Sequence, residues 1–167
     1  IEKASGGTAG ALRQEVYEGY GPYGVAYFID ATTDNANRTV SFIKQALEHA
    51  GGSMGSPGCV SYLFKRTGLF TVDPEANFDR LLETAVEAGA EDVLKTDDGF
   101  EILTDPIHMQ VVRQKLLSSG VTPRTAELIM IPVTTVALSE TERQTIDALT
   151  ERLSELDDVQ DVYTNLG

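Results

Sequence analysis

Residues 68–131 run GLFTVDPEANFDRLLETAVEAGAEDVLKTDDGFEILTDPIHMQVVRQKLLSSGVTPRTAELIMI, and the order of patterns within them decides the fold. Gly68 to Val72 has the length and apolar content of a short strand. Asp73 and Pro74 hold N-cap and first-turn positions; Phe78, Leu81, Leu82, Ala85 and Val86 then recur at helical spacing until Gly89. Residues 91–96 and 100–104 flank Asp97-Asp98-Gly99, which predicts two strands joined by a type I′ turn. Asp105 and Pro106 open a second helix with Ile107, Val111 or Val112, and Leu116 inward, ended by Gly120; residues 126–131 form the last strand. This β-α-β-β-α-β order is the ferredoxin-like split motif, complete in itself.

Outward from it, the chain predicts a second such motif in two halves. Before it, residues 24–31 (GVAYFIDA) are a near-continuous apolar run, the pattern of a central strand buried on both faces. TTDNANRT supplies N-cap residues for a helix whose stripe is Val40, Ile43, Leu47 and Ala50, stopped by Gly51. Cys59 to Phe64 reads as the next strand, and residues 12–18 have weaker strand character. After it, residues 133–138 read as a strand following Pro132, which marks the return crossing. Ser139 and Glu142 form a capping box for a helix with Ile146, Leu149, Leu153 and Leu156 inward, and residues 159–164 suit a sheet edge. The expectation is an α+β chain of two ferredoxin-like domains, residues 67–131 inserted into a domain of 16–66 plus 132–167. Residues 1–15, with Gly6, Gly7 and Gly10, read as a linker remnant of a missing N-terminal domain.

Charge bounds the function. Against 13 Lys and Arg stand 26 Asp and Glu, a net charge of -13, which opposes phosphate backbones and anionic membranes alike. The acids are not spread evenly: residues 1–66 carry six acids and six bases, whereas residues 67–167 carry 20 acids and 7 bases. Any surface that meets a polyanion is expected in the neutral third, where Arg38, Lys44, Lys65 and Arg66 are the candidate nucleic-acid or partner contacts. One Cys excludes an internal disulfide framework and a cysteine-based structural zinc site. No apolar run approaches membrane-spanning length, and no signal peptide is visible; the expected setting is the cytoplasm, or the mitochondrial matrix for a eukaryotic member. The chain opens on Ile, as expected of a piece cut from a longer protein.

Few residues suggest catalysis. Cys59 opens a predicted strand with neither His near it in sequence and reads as a small packed hydrophobe. His49 occupies a helix's last turn, where a cation suits the dipole, and His108 a first turn. Glu91-Asp92 and Asp157-Asp158 lack a third ligand at metal spacing. No catalytic residue, metal or cofactor is expected. The β-α-β reading does place GYGPYG (19–24) and GGSMGSPG (51–58) on one rim. There Gly19, Tyr20, Gly21, Pro22, Gly51, Gly52, Ser53 and Gly55 make a charge-poor docking rim, with Tyr20 and Tyr23 for stacking.

YEGYGPYGVA (17–26), TDNANRT (33–39), GGSMGSPGCVSYLF (51–64), AGAEDV (88–93) and LDDVQDVYTN (156–165) together resemble the YebC/PmpR family, which includes mitochondrial translational activators of cytochrome c oxidase. The sequence departs from the family pattern at Tyr23, Met54 and Pro57-Gly58-Cys59, and IEKASGG resembles the junction after the family's basic, helical N-terminal domain. The resemblance implies a non-enzymatic regulator of gene expression, either a DNA-binding transcriptional regulator or a translation factor associated with rRNA and the ribosome. Without the basic domain, these residues are expected to bind nucleic acid poorly. The alternative class is a small-molecule sensor, since paired ferredoxin-like domains host ligands in ACT-type modules.

Overall fold

The computed structural model describes residues 11–167. They form two compact units: one from the residues up to Lys65 with Pro132–Gly167, the other Arg66–Ile131. Each unit holds a four-stranded antiparallel sheet and two α-helices, so the fold is α+β with the second unit inserted into the first.

The inserted unit follows its sequence closely. Strand β4 (Phe64–Val72) crosses into it; α2 (Phe78–Glu87), β5 (Asp92–Thr96), β6 (Gly99–Thr104), α3 (Met109–Ser118) and β7 (Thr125–Pro132) complete it, in the sheet order β5-β6-β4-β7. That is ferredoxin-like connectivity, with each helix joining strands that are not neighbours. Phe70, Val72, Phe100 and Ile102 point to the helices and pack on Leu81, Ala85, Val112 and Leu116. Several local expectations are corrected. Helix α2 starts at Phe78 with Asn77 as its cap, not at Asp73, because the Asn77 side chain takes the Arg80 amide while residues 73–76 turn. Ile107 (84% exposed) and Val111 (52%) lie outside the core, since Pro106–His108 is a 3-10 turn that shifts the helical phase before α3. Leu82 and Val86 are also exposed rather than inward. The β5–β6 turn is not type I′, because Asp97 and Asp98 keep negative φ; the positive φ falls on Gly99 (+144°), where a Cβ would sit 2.1 Å from the Val72 carbonyl oxygen.

The first unit departs further. Its elements are β1 (Arg13–Tyr20), β2 (Ala26–Thr33), α1 (Ala36–His49), β3 (Ser53–Met54), α4 (Glu140–Ser154) and β8 (Val159–Thr164), in the sheet order β3-β1-β2-β8. The weak strand pattern at 12–18 is therefore a full partner of β2, and the sheet begins at Arg13, inside the stretch read as linker. Residues 133–138 are not a strand; they contribute one parallel bridge, Val136 to Leu166. Cys59–Phe64 is not a ladder strand either: residues 61–63 form a 3-10 turn, and Phe64 begins β4. The unit thus runs β-β-α-β, then α-β, rather than two β-α-β halves. Strand β2 alternates, with Tyr27, Ile29 and Ala31 buried and Phe28 and Asp30 half-buried, so its two faces differ in a way the apolar run concealed.

Core placement follows from that alternation. Tyr27 and Ile29 meet Ile43 and Leu47 of α1 and Ile146, Leu149 and Leu153 of α4. The Tyr27 hydroxyl lies 3.1 Å from the Ile146 carbonyl and 2.9 Å from the Thr150 hydroxyl, and burial pushes its pKa up to about 12. On the opposite face Phe28 packs between Phe64 and Tyr163, at ring separations of 5.9 and 6.3 Å. The predicted capping box of α4 is formed: the Ser139 hydroxyl accepts from the Glu142 amide, and the Glu142 carboxylate accepts from the Ser139 amide.

Candidate docking rim

The rim residues come together, by a different route from the crossover the sequence suggested. Strand β3 pairs antiparallel with the end of β1, Gly19 opposite Met54 and Tyr20 opposite Ser53. This brings the β1–β2 turn beside the loop that leaves α1. The glycines are consumed in making that approach. A Cβ on Gly52 would lie 2.1 Å from the Tyr20 carbonyl oxygen, and one on Gly19 2.6 Å from that of Ser53. Gly21 sits on the Tyr27 ring, and Gly55 on the Cys59 sulfur. The backbone that these small residues admit is the chain's own.

What remains outward is aromatic. Tyr23 is 49% exposed in a left-handed conformation, φ +64°, that a side chain seldom adopts. Tyr62 is 71% exposed. Tyr20 is half-buried; burial, then Tyr62, pushes its phenol up, and its hydroxyl lies 3.4 Å from the Cys59 carbonyl. Sequence reasoning named Tyr20 and Tyr23 and missed Tyr62, because it assigned residues 59–64 to a strand.

The residue that shapes this region is Glu18, which lies within YEGYGPYGVA (17–26) but is not among the site residues expected from the sequence. It lies opposite Phe28 in the β1–β2 register, so its side chain is on the face away from the helices. Its carboxylate, 7% exposed, accepts from three amides of the covering loop: Gly58 at 2.7 Å, Val60 at 3.0 Å and Ser61 at 2.7 Å. These bonds explain why Cys59–Phe64 needs no strand partner: backbone donors that a ladder would satisfy are taken by one side chain. Val60, fully buried, anchors the loop. The thiol of Cys59 is half-buried and pushed up by desolvation and by Glu18, the reverse of what a nucleophile requires.

The four predicted basic contacts separate. The Arg38 guanidinium is engaged by Asp34 at 2.9 Å and by Asp158 at 3.0 Å, the latter also accepting from Thr39 at 2.7 Å. Arg38, then Thr39, holds the Asp158 carboxyl below the usual carboxylate range. This cluster ties the start of α1 to the turn before β8, and leaves Arg38 a structural cation. Lys44 is exposed on α1; Lys65 and Arg66 are exposed on β4, on either side of the division between the units. His49 ends α1 and His108 packs against Gly89, both in keeping with local roles. Among the described residues, no three His, Cys, Asp or Glu side chains converge in a metal-holding group, and no helix is long and apolar enough to cross a membrane.

A family model for the second and third domains of TACO1/YebC proteins matches residues 12–166. The chain belongs to the TACO1/YebC family. A protein of Trichlorobacter lovleyi is 43% identical over 166 residues, 99% of this chain and 67% of its own length; one of Geobacillus thermodenitrificans is 44% identical over 170 residues, covering 99% and 69%. Each is called a "Probable transcriptional regulatory protein". The crystal structure of a conserved hypothetical protein, Aq1575, from Aquifex aeolicus superposes with a TM-score of 0.86 at 38% identity, over 100% of this chain and 67% of that one. The chain therefore spans about two thirds of the relatives it matches.

Proposed function

We propose that this chain is the docking body of a non-enzymatic, cytoplasmic regulator of gene expression, and that it engages the ribosome through the rim rather than gripping duplex DNA. The observation that carries this reading is the rim itself: Tyr23 and Tyr62 stand out from a ledge built of backbone and glycine, without acidic side chains among the eight named rim residues. Aromatic rings presented this way suit stacking or an interface anchor. The net charge of -13, with Arg38 held by two carboxylates, supports weak affinity for free nucleic acid. The name borne by the relatives supports regulation of transcription, and the same experiment separates the two settings. Ribosome co-sedimentation is expected to retain the protein and to lose it on Tyr23→Ser/Tyr62→Ser, a pair of exposed positions whose change leaves the fold intact. Micromolar, salt-dependent binding to duplex DNA without co-sedimentation would overturn the ribosomal reading in favour of a DNA-binding regulator.

A further inference from the structure

Both helices of the inserted unit cover one face of its sheet, because Phe70, Val72, Phe100 and Ile102 all point that way. The alternating residues face the other side, where no helix of the unit lies. The register fixes who meets there: Thr71 is opposite Glu101, and the Thr71 hydroxyl is 2.5 Å from that of Thr125, which puts Glu127, two residues on, along the same face. These residues line an open trough of about 780 Å³ floored by Leu69, with Asp97 and Asp98 at its end. Its sole cation, Arg124, is committed to the Asp73 carboxylate at 3.2 Å and the Asp98 carbonyl at 2.9 Å. Glu101 and Glu127 are left facing the trough without a basic partner in its lining.

We infer that this sheet face docks an extended, lysine- or arginine-bearing segment of a protein partner. Charge complementarity selects the occupant: four carboxylates against one engaged guanidinium repel nucleic acid and attract a polycation. Geometry selects its form. Glu101 and Glu127 sit on strands separated only by β4 and are offset by two residues along them, so their stems are about 12 Å apart on the diagonal. An extended peptide lying obliquely across the strands places side chains four residues apart on one face, at a separation of about 13 Å. The leucine floor and the threonine hydroxyls suit the aliphatic stems and backbone of such a segment, as long basic side chains lay apolar stems on a surface while their charges reach carboxylates. This surface is separate from the rim and does not rest on the ribosomal reading.

The test is fluorescence anisotropy with a dye-labelled octapeptide carrying lysines four residues apart, against the 167-residue chain. The expected result is salt-sensitive binding, weakened about 10-fold or more by Glu101→Gln/Glu127→Gln. A matched double change on α4, Asp147→Asn/Glu151→Gln, removes the same charge elsewhere and is expected to weaken binding less than about 2-fold. Unchanged melting temperatures establish that both variants are folded. Equal losses in the two variants would overturn the inference by showing a response to net charge alone. No binding at low salt, or equal displacement by spermine and by unlabelled peptide, would overturn it as well.

Discussion

Replacing Glu18 by Ala tests the account of the rim most directly. Its carboxylate is 7% exposed and closes three backbone hydrogen bonds, of which that to the Val60 amide is fully buried. A buried donor left without a partner costs about 1–3 kcal/mol. The Gly58 and Ser61 amides lie nearer the surface, where water replaces part of the loss. Allowing about 2 kcal/mol for Val60 and about 0.5 kcal/mol for each of the others gives a destabilisation of about 3 kcal/mol. Glu18→Gln keeps one acceptor oxygen for Val60 and Ser61 but turns an amide N–H₂ toward the Gly58 N–H, and an intermediate loss of about 1–2 kcal/mol is expected. Urea denaturation followed by circular dichroism measures the change, and hydrogen exchange localises it to residues 58–61. A loss below about 0.5 kcal/mol for the Ala variant, with the Val60 amide still protected, would refute the claim that Glu18 holds this loop.

Three further perturbations follow from the geometry. Asp158, depressed by Arg38 and then Thr39, adds stability that is fully present above its unfolded value near 3.8 and is lost as pH falls through the lower folded value; Asp158→Asn should flatten the acid limb of a melting-temperature profile below that pH. Tyr27, raised from 10.0 to about 12, contributes stability that is complete below pH 10 and lost between there and about 12; Tyr27→Phe should remove that alkaline loss and cost about 1 kcal/mol at neutral pH in a denaturant titration. Gly52→Ala drives a Cβ to 2.1 Å from the Tyr20 carbonyl oxygen and should destabilise by about 2–3 kcal/mol, detected as a lowered urea midpoint, whereas an unchanged midpoint would mean that the two rim loops separate at little cost.

The inserted unit was legible because its signals are local and agree with one another: two helices, a hairpin and a closing strand follow in the order that period and chain breakers mark. Its errors were matters of helical phase, cap and turn type, as when the 3-10 turn at Pro106–His108 carried Ile107 and Val111 outward. The first unit was legible only in part. An apolar run such as GVAYFIDA reports burial but not which neighbour supplies it, and the short β3 has too few residues to show any period. The sequence places the two rim loops together on a β-α-β crossover that the unit does not have; they meet through the β1–β3 pairing, and the backbone their glycines admit is internal. Arg38 shows the same limit, since nothing near residue 38 announces Asp158.

By itself, the sequence determined the α+β class, the insertion, the excess of acid in the last hundred residues, the capping box of α4, the glycine stops after α1, α2 and α3, and a family pattern distributed along the chain. These depend on spacing, composition and local backbone preference, which a linear string carries. Tertiary structure alone decided that Cys59–Phe64 is a loop clamped by Glu18, that Arg38 is held by acids, and that Glu101 and Glu127 share the sheet face opposite the helices of their own unit. Each of these joins residues distant in the chain through strand register and side-chain reach. Whether a polar group is free, paired or buried depends on neighbours that only the folded chain brings within hydrogen-bonding distance.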